Sequence, residues 1–310
     1  MMSFGKDKML PLKALMALLI VADHLTFHID SVWLLPVREI GAPIVSVFLF
    51  ISGYGLYQSY RRRGAGYLDG FFKKRIGRVV LPALLALAAY YLVNWNPDRN
   101  YLLELEQAVT QGIPLLPYSW FVVDIVLFYL LFYLAFRFLP ERWRLGALAI
   151  GTCLLMALVI LAGYDRCWWI GSLAFPTGAF FARYEPRVYA FCEKDKRNYW
   201  GLLLLLFLVF GALYLTRNPY VWCLCYVVIP VIAALVVARL PLGKMNGPVV
   251  TFIGTISYEI YLCQGISMDF FESKVPVGSP ALYALLVYVS CIALATLIHF
   301  LCKMVYHPKP

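Results

Sequence analysis

Ten apolar runs of about 16–25 residues follow one another along this 310-residue chain, and no other feature restricts its fold as strongly. Crossing the roughly 30 Å hydrocarbon core of a bilayer takes about 20 consecutive apolar residues in a helix. The runs lie near 11–33, 40–60, 77–95, 119–138, 145–163, 168–183, 199–215, 220–238, 248–269 and 281–302. They predict an all-α, polytopic integral membrane protein with about ten transmembrane helices, a single domain filling residues 1–310. The sixth run, WWIGSLAFPTGAFF, is short and broken by Pro176 and Gly178. Pro82, Pro176 and Pro230 inside runs predict kinks, which membrane helices tolerate when neighbours satisfy the freed carbonyls.

An even number of spans puts both termini on one side. If that side is cytoplasmic, 22 of the 27 Lys and Arg fall in inner segments. Only Arg38, Arg99, Arg166, Arg217 and Lys274 fall outside. Such asymmetry over short loops predicts cytoplasmic termini. It also accounts for the net charge of +10 as topology and attraction to anionic headgroups, not nucleic-acid binding. Lys6, Asp7 and Lys8 before an apolar run look like the start of a signal peptide. Asp23 and His24 follow that run with no A-x-A-like site, so the segment is expected to be retained.

Most of the eight cysteines lie in or at the ends of spans, where Cys behaves as a small apolar residue. Cys167 alone is expected outside, and Cys223-x-Cys225 lacks the spacing of a zinc or redox pair. The longest outer loop, about 96–118, contains YLLELEQAV, which predicts a short interfacial helix bounded by Pro97, Gly112, Pro114 and Pro117. Trp120, Trp168 and Trp169 suit the aromatic belts at the membrane boundary.

Against this apolar background the titratable residues stand out. Each costs roughly 2.5–3.5 kcal/mol at mid-bilayer, so intramembrane charges usually face a cavity and do chemistry. Lys13 and His24 are eleven residues apart, three helical turns and about 20°, so they share a face roughly 16 Å apart along the axis. Lys13 can stand at the cytoplasmic rim while His24 looks into the membrane. A neutral imidazole in a partly desolvated cavity can take a proton from a hydroxyl, which makes His24 a candidate general base. Its alternative is a structural histidine joining two helices. His28, four residues on, would lie on the same face, nearer the outer rim with Asp30. Asp23 points about 100° away, so a carboxylate from another helix is an equal candidate to orient the ring. Two His at this spacing could share a metal, but no third ligand and no HExxH pattern is present, so no metal is predicted.

FFKKRIGRVVLP, at the cytoplasmic start of the third span, places Arg75 and Arg78 three apart on one face with Lys73 and Lys74 before them. Paired guanidinia suit phosphates, so a phosphorylated cytoplasmic ligand is a natural partner for Arg75, Arg78 and Lys74. Positive-inside topology is the competing account. Asp124 and Glu259 are acids within apolar runs, expected to face the interior, where either could pair with Lys13, Arg75 or His24. Ser119, Trp120, Tyr258 and Gln264 complete a candidate polar path for substrate.

Taken together, these motifs resemble the membrane acyltransferase-3 family. Lys13-x10-His24 is similar to its [R/K]-x10-H motif, and Arg75 and Arg78 match its R-x-x-R. VFLFISGYGLY is similar to its F-x-x-S-G-[FY] signature, and FIGTISYEIYLCQ to its G-x-x-S-Y-x-x-Y-L-x-H segment. Two departures are plain: Gln264 lies where many members carry His, and Lys13 replaces the bidentate fork of Arg. The resemblance implies an acyl-CoA-dependent O-acyltransferase in a bacterial cytoplasmic (inner) membrane. Its donor would be acyl-CoA, acetyl-CoA above all, held near Arg75 and Arg78. Its acceptor would be a carbohydrate or similar hydroxylated molecule arriving from outside, deprotonated by His24. A homo-oligomer is compatible with this. The rival reading is a transporter or flippase, although paired repeats with broken helices, frequent in transporters, are not evident.

Overall fold

A computed structural model of the chain describes residues 2–306. Lys309, counted above in the last inner segment, lies outside the described residues. Twelve α-helices follow in order: α1 Lys6–Leu25, α2 Gly41–Arg63, α3 Gly77–Val93, α4 Tyr101–Thr110, α5 Trp120–Phe138, α6 Glu141–Leu161, α7 Ala174–Lys194, α8 Lys196–Leu215, α9 Pro219–Arg239, α10 Pro248–Thr255, α11 Ser257–Asp269 and α12 Pro280–Tyr306. No strand occurs among the described residues. The protein is all-α and carries the apolar helices of a multi-pass membrane protein.

Each of the ten apolar runs has a helical counterpart, but not all are equal. Among the described residues seven helices are long and apolar enough to cross a bilayer, and up to eight if α10 and α11, bent by 73° at their junction, make one span. Lys8, Lys13 and Asp23 in α1, and Arg183, Glu185 and Arg187 in α7, interrupt the apolar stretches of those two helices, which are not among the seven. The bend between α10 and α11 falls at Ile256, whose dihedrals (φ −93°, ψ 14°) leave the helical region after Gly254. Pro82 and Pro230 lie inside α3 and α9 as expected. Pro176 does not interrupt its helix: α7 starts only at Ala174, so the missing N–H falls in a first turn that has no intrahelical acceptor.

Two compact units emerge. The first comprises Met1–Leu12, Ala42–Phe71 and Asp124–Asn246. Within it α7 packs on α6, α8 and α9. Residues Gly53 of α2 and Gly178 of α7 let these two backbones approach closely. A Cβ on Gly53 would lie 2.0 Å from the Phe175 carbonyl oxygen, and one on Gly178 2.0 Å from that of Phe50. Trp168 and Trp169 do not join a lipid-facing belt. Both are buried in this unit, Trp169 stacked on Tyr220 and Trp168 edge-on to Tyr164. All eight cysteines are free thiols.

The second unit comprises Lys13–Gly41, Phe72–Val123 and Gly247–Pro310. Its centre is α11, which packs against α12 and α3. Every residue from Glu259 to Met268 is buried, so this short helix is enclosed on all sides. The predicted outer-loop helix is present as α4. Asn100 caps it by accepting from the Leu103 N–H, and Leu102, Leu105 and Val109 are exposed. Arg99 and Tyr91 hold Glu104 beside it. Burial opposes the Glu104 charge, but these hydrogen bonds outweigh it and hold the carboxyl below its usual range.

Candidate functional site

Lys13 and His24 lie on one helix, α1, as their spacing predicts. The helix stops at Leu25, however, and His28 belongs to the turn that follows. Thr26 helps end it: its hydroxyl donates to the Asp23 carbonyl (2.6 Å), while the Phe27 and His28 N–H groups bond only three residues back. His28 therefore sits in a turn and not on the helix itself. It nonetheless converges with His24, through a third residue.

That residue is Tyr118, in the Pro-bounded loop before α5. Its ring stacks on the His24 imidazole, with centroids 4.1 Å apart and planes 15° from parallel. Its hydroxyl lies 2.9 Å from His28 Nε2, and His28 Nδ1 lies 2.7 Å from the Glu272 carboxylate. Burial, then the charges of Asp269 and Glu272, push the Tyr118 phenol up to about 12. The phenol stays protonated at neutral pH, so its hydroxyl can donate to Nε2 of a His28 ring whose Nδ1–H donates to Glu272. The Tyr118 carbonyl accepts from the Tyr261 hydroxyl. Three restraints thus hold a non-glycine residue at φ +64°, a left-handed conformation that costs roughly 1–2 kcal/mol. Strain of that kind persists only where the surroundings over-determine it, and it gathers at functional sites. Gly265 of α11 admits the loop: a Cβ there would come within 2.7 Å of Pro117 Cβ.

His24 itself is 9% exposed. The Gln264 amide of α11 lies alongside its ring, close enough for a polar interaction but without hydrogen-bond geometry. His24 Nδ1 and both polar atoms of Gln264 have no hydrogen-bond partner, although Gln264 is completely buried. Asp23 has a different task. Its carboxylate faces the backbone N–H groups of Gly41, Ile40 and Glu39 at the start of α2, where a helix N-terminus favours negative charge. A Cβ on Gly41 would meet it at 2.5 Å.

At another part of this unit, Arg75 sits in a wide π-helical turn, Phe72–Ile76, and Arg78 in the first turn of α3. The three-residue spacing spans this junction, so the same-face argument does not carry over unchanged. Arg75 is half-buried, while Arg78 and Lys74 are exposed. Tyr258 donates to the Val79 carbonyl (2.9 Å), tying α11 to the start of α3. Glu259, a candidate partner for Lys13, Arg75 or His24, pairs instead with His299 of α12 at 2.9 Å. Asp124 belongs to the first unit, buried on α5 with Oδ2 unpaired. Ser119 ends the Tyr118 loop, and Trp120, half-buried, opens α5.

Sequence reasoning misses Tyr118, Glu272 and His299. His299 was open to the rule that singled out Asp124, a titratable residue in an apolar run. Glu272 stands in a second π-helical turn, Phe270–Lys274, and Tyr118 in an irregular loop, where no periodicity speaks. Such π turns are frequent at functional sites. Among the described residues, no three His, Cys, Asp or Glu side chains gather as metal ligands.

Neither a curated protein nor a solved structure matches this chain. A family model does: the acyltransferase domain of the acyltransferase-3 family covers residues 12–300, nearly the full length. That match takes in α1 with Lys13 and His24, the turn with Arg75 and Arg78, and α11 with Gln264. The chain belongs to the acyltransferase-3 family of membrane acyltransferases.

Proposed function

We propose that this protein moves an acyl group, acetyl in the first instance, from cytoplasmic acyl-CoA to a hydroxyl of a carbohydrate or similar acceptor at the outer side of a bacterial cytoplasmic membrane. The observation that carries this reading is His24: a buried imidazole on an apolar helix, stacked by Tyr118, with Nδ1 free of any hydrogen-bond partner. A neutral ring nitrogen without a partner is what a general base needs. Lys13, roughly three turns away on the same helix, is suited to steer the donor's negative charge along that face. Arg75, Arg78 and Lys74 supply the cations for the donor's phosphates, with termini and these residues on the cytoplasmic side. His24 accepts the acceptor's hydroxyl proton, the alkoxide attacks the thioester carbon, and CoA leaves.

Membranes containing the protein, given labelled acetyl-CoA, are expected to release free CoA and to carry label into surface glycan, measured by thiol titration and mass spectrometry. Solute uptake without thioester consumption would favour the transporter reading, for which buried Asp124 would be the natural binding carboxylate. Arg75→Ala is expected to raise KM for acetyl-CoA about tenfold to a hundredfold with less change in kcat, since a hydrogen bond to a charged group contributes roughly 1.5–3 kcal/mol. Arg75→Lys should recover only part, because the planar fork is lost.

The Tyr118 arrangement predicts a graded pair. Tyr118→Phe keeps the stack and loses the hydroxyl, and is expected to slow transfer about threefold to tenfold, from a hydrogen bond of roughly 0.5–1.5 kcal/mol. Tyr118→Ala also loses the stack, a further amount of about the same size. Equal rates for the two variants would show that the ring contact does not position His24.

A further inference from the structure

Gln264 is a fully buried side chain beside His24 that offers N–H donors, and among the described residues neither end of its amide finds a partner. Buried amides in native structures nearly always find partners, so an orphaned one asks for an explanation. Here the explanation is local. Next in sequence, Gly265 touches the Pro117–Tyr118 loop, and Tyr118 stacks on His24. The His24 ring, whose Nδ1 is unpaired, and the unpaired amide of Gln264 therefore lie side by side under one cover. One is an acceptor for a hydroxyl proton. The other carries two N–H donors that suit a carbonyl oxygen.

We propose that the Gln264 side-chain N–H groups bind the carbonyl oxygen of the acyl thioester and stabilise the oxyanion that forms there. This rests on the acyl-transfer reading given above. In the first step the acceptor oxygen bonds to the thioester carbon while its proton passes to the His24 ring. The carbonyl π electrons move to oxygen, facing Gln264. In the second step the carbonyl re-forms, the C–S bond breaks, and His24 returns its proton to the departing thiolate. No oxidant, metal or further reactant is required. An amide is too weak an acid and too weak a base to serve as a proton-transfer catalyst at neutral pH, so Gln264 contributes by donating hydrogen bonds where charge develops, in a site that water does not screen. A donor placed for the oxyanion acts mainly on kcat, because the charge it meets is absent from the bound substrate.

The test uses the full chain in membranes, with acetyl-CoA as the probe and free CoA release as the readout, normalised to folded protein. Gln264→Ala is expected to lower kcat by about 100- to 1,000-fold, the usual loss of one oxyanion donor, with KM changed less than threefold. Gln264→Glu keeps the size but replaces the donors with an acceptor, and is expected to be as inactive as the alanine variant. Gln264→His restores an N–H donor and is expected to recover a measurable part of the rate. If the wild-type protein consumes no thioester, the acyl-transfer reading fails and this inference with it. If the wild type is active and His24→Ala is not, but the Ala and Glu variants of Gln264 keep kcat within threefold, the inference alone is overturned. A purely packing role would lower the amount or melting temperature of folded protein while leaving kcat per folded molecule intact, and would overturn it too.

Discussion

His24→Ala is expected to reduce acyl transfer by 100-fold to 10,000-fold or more, leaving free CoA release at the level of membranes without the protein. General-base catalysis alone accounts for about 10²–10⁴ of rate. The ring also carries the stacked face of Tyr118, so its removal disturbs the loop that covers the site. The two losses can be separated. His24→Asn keeps a polar side chain with less disturbance of the helix, lacks a basic nitrogen, and should be as inactive as His24→Ala while remaining folded in detergent. Retention of more than a tenth of wild-type kcat by His24→Asn would exclude the imidazole as the base. Retained activity in His24→Asn with loss in His24→Ala would show that a polar side chain suffices at this position and that neither the basic nitrogen nor the stacked ring is needed.

Gly178→Leu is expected to cause a large loss of stability in the first unit. Its Cβ would fall 2.0 Å from the Phe50 carbonyl oxygen and 2.9 Å from the Tyr54 nitrogen, both backbone atoms that no rotamer change can move. Phe50 and Phe175 are fully buried on the two sides of this contact, and the Tyr54 hydroxyl reaches Glu185 of α7 at 2.7 Å. Separating the helices would open that packing and stretch that bond together. Ordinary overpacking costs roughly 1–3 kcal/mol, and a backbone clash at a close helix crossing belongs at or beyond the upper end. Thermal unfolding in detergent should show a clearly lowered transition and poor recovery of monodisperse protein. Gly53→Leu should behave alike, since its Cβ meets the Phe175 carbonyl in the reciprocal contact. Because both variants push the same pair apart, the double variant should be destabilised by less than the sum. A Gly178→Leu protein that melts within a degree or two of wild type would contradict the contact.

Much of the helical architecture could be read directly. Apolar runs mark helices because length and hydropathy are local properties, and each run has its helix. The pairing of Lys13 with His24 was equally open, since eleven residues on an unbroken helix leave no freedom in which face they share. Local rules failed where the chain leaves the α-helix. The stop at Leu25 leaves His28 in a turn, and Arg75 lies in the π turn Phe72–Ile76 while Arg78 lies in α3, so α-helical spacing does not describe either pair. They failed again for partners far apart in the chain. Glu259 finds His299 across 40 residues, and His28 finds Glu272 across 244.

By itself, then, the order of amino acids determined an all-α membrane chain, the helix that bears the candidate base, and the family, because hydropathy and motif spacing are written along the backbone. Only the tertiary structure decided that Tyr118 closes over His24, that Gln264 stands unsatisfied at its side, and that Asp23 serves a helix terminus. Each of those depends on which buried polar atoms the packing brings together and which it leaves without a partner, and in a low-dielectric interior that difference is large while no one-dimensional pattern records it.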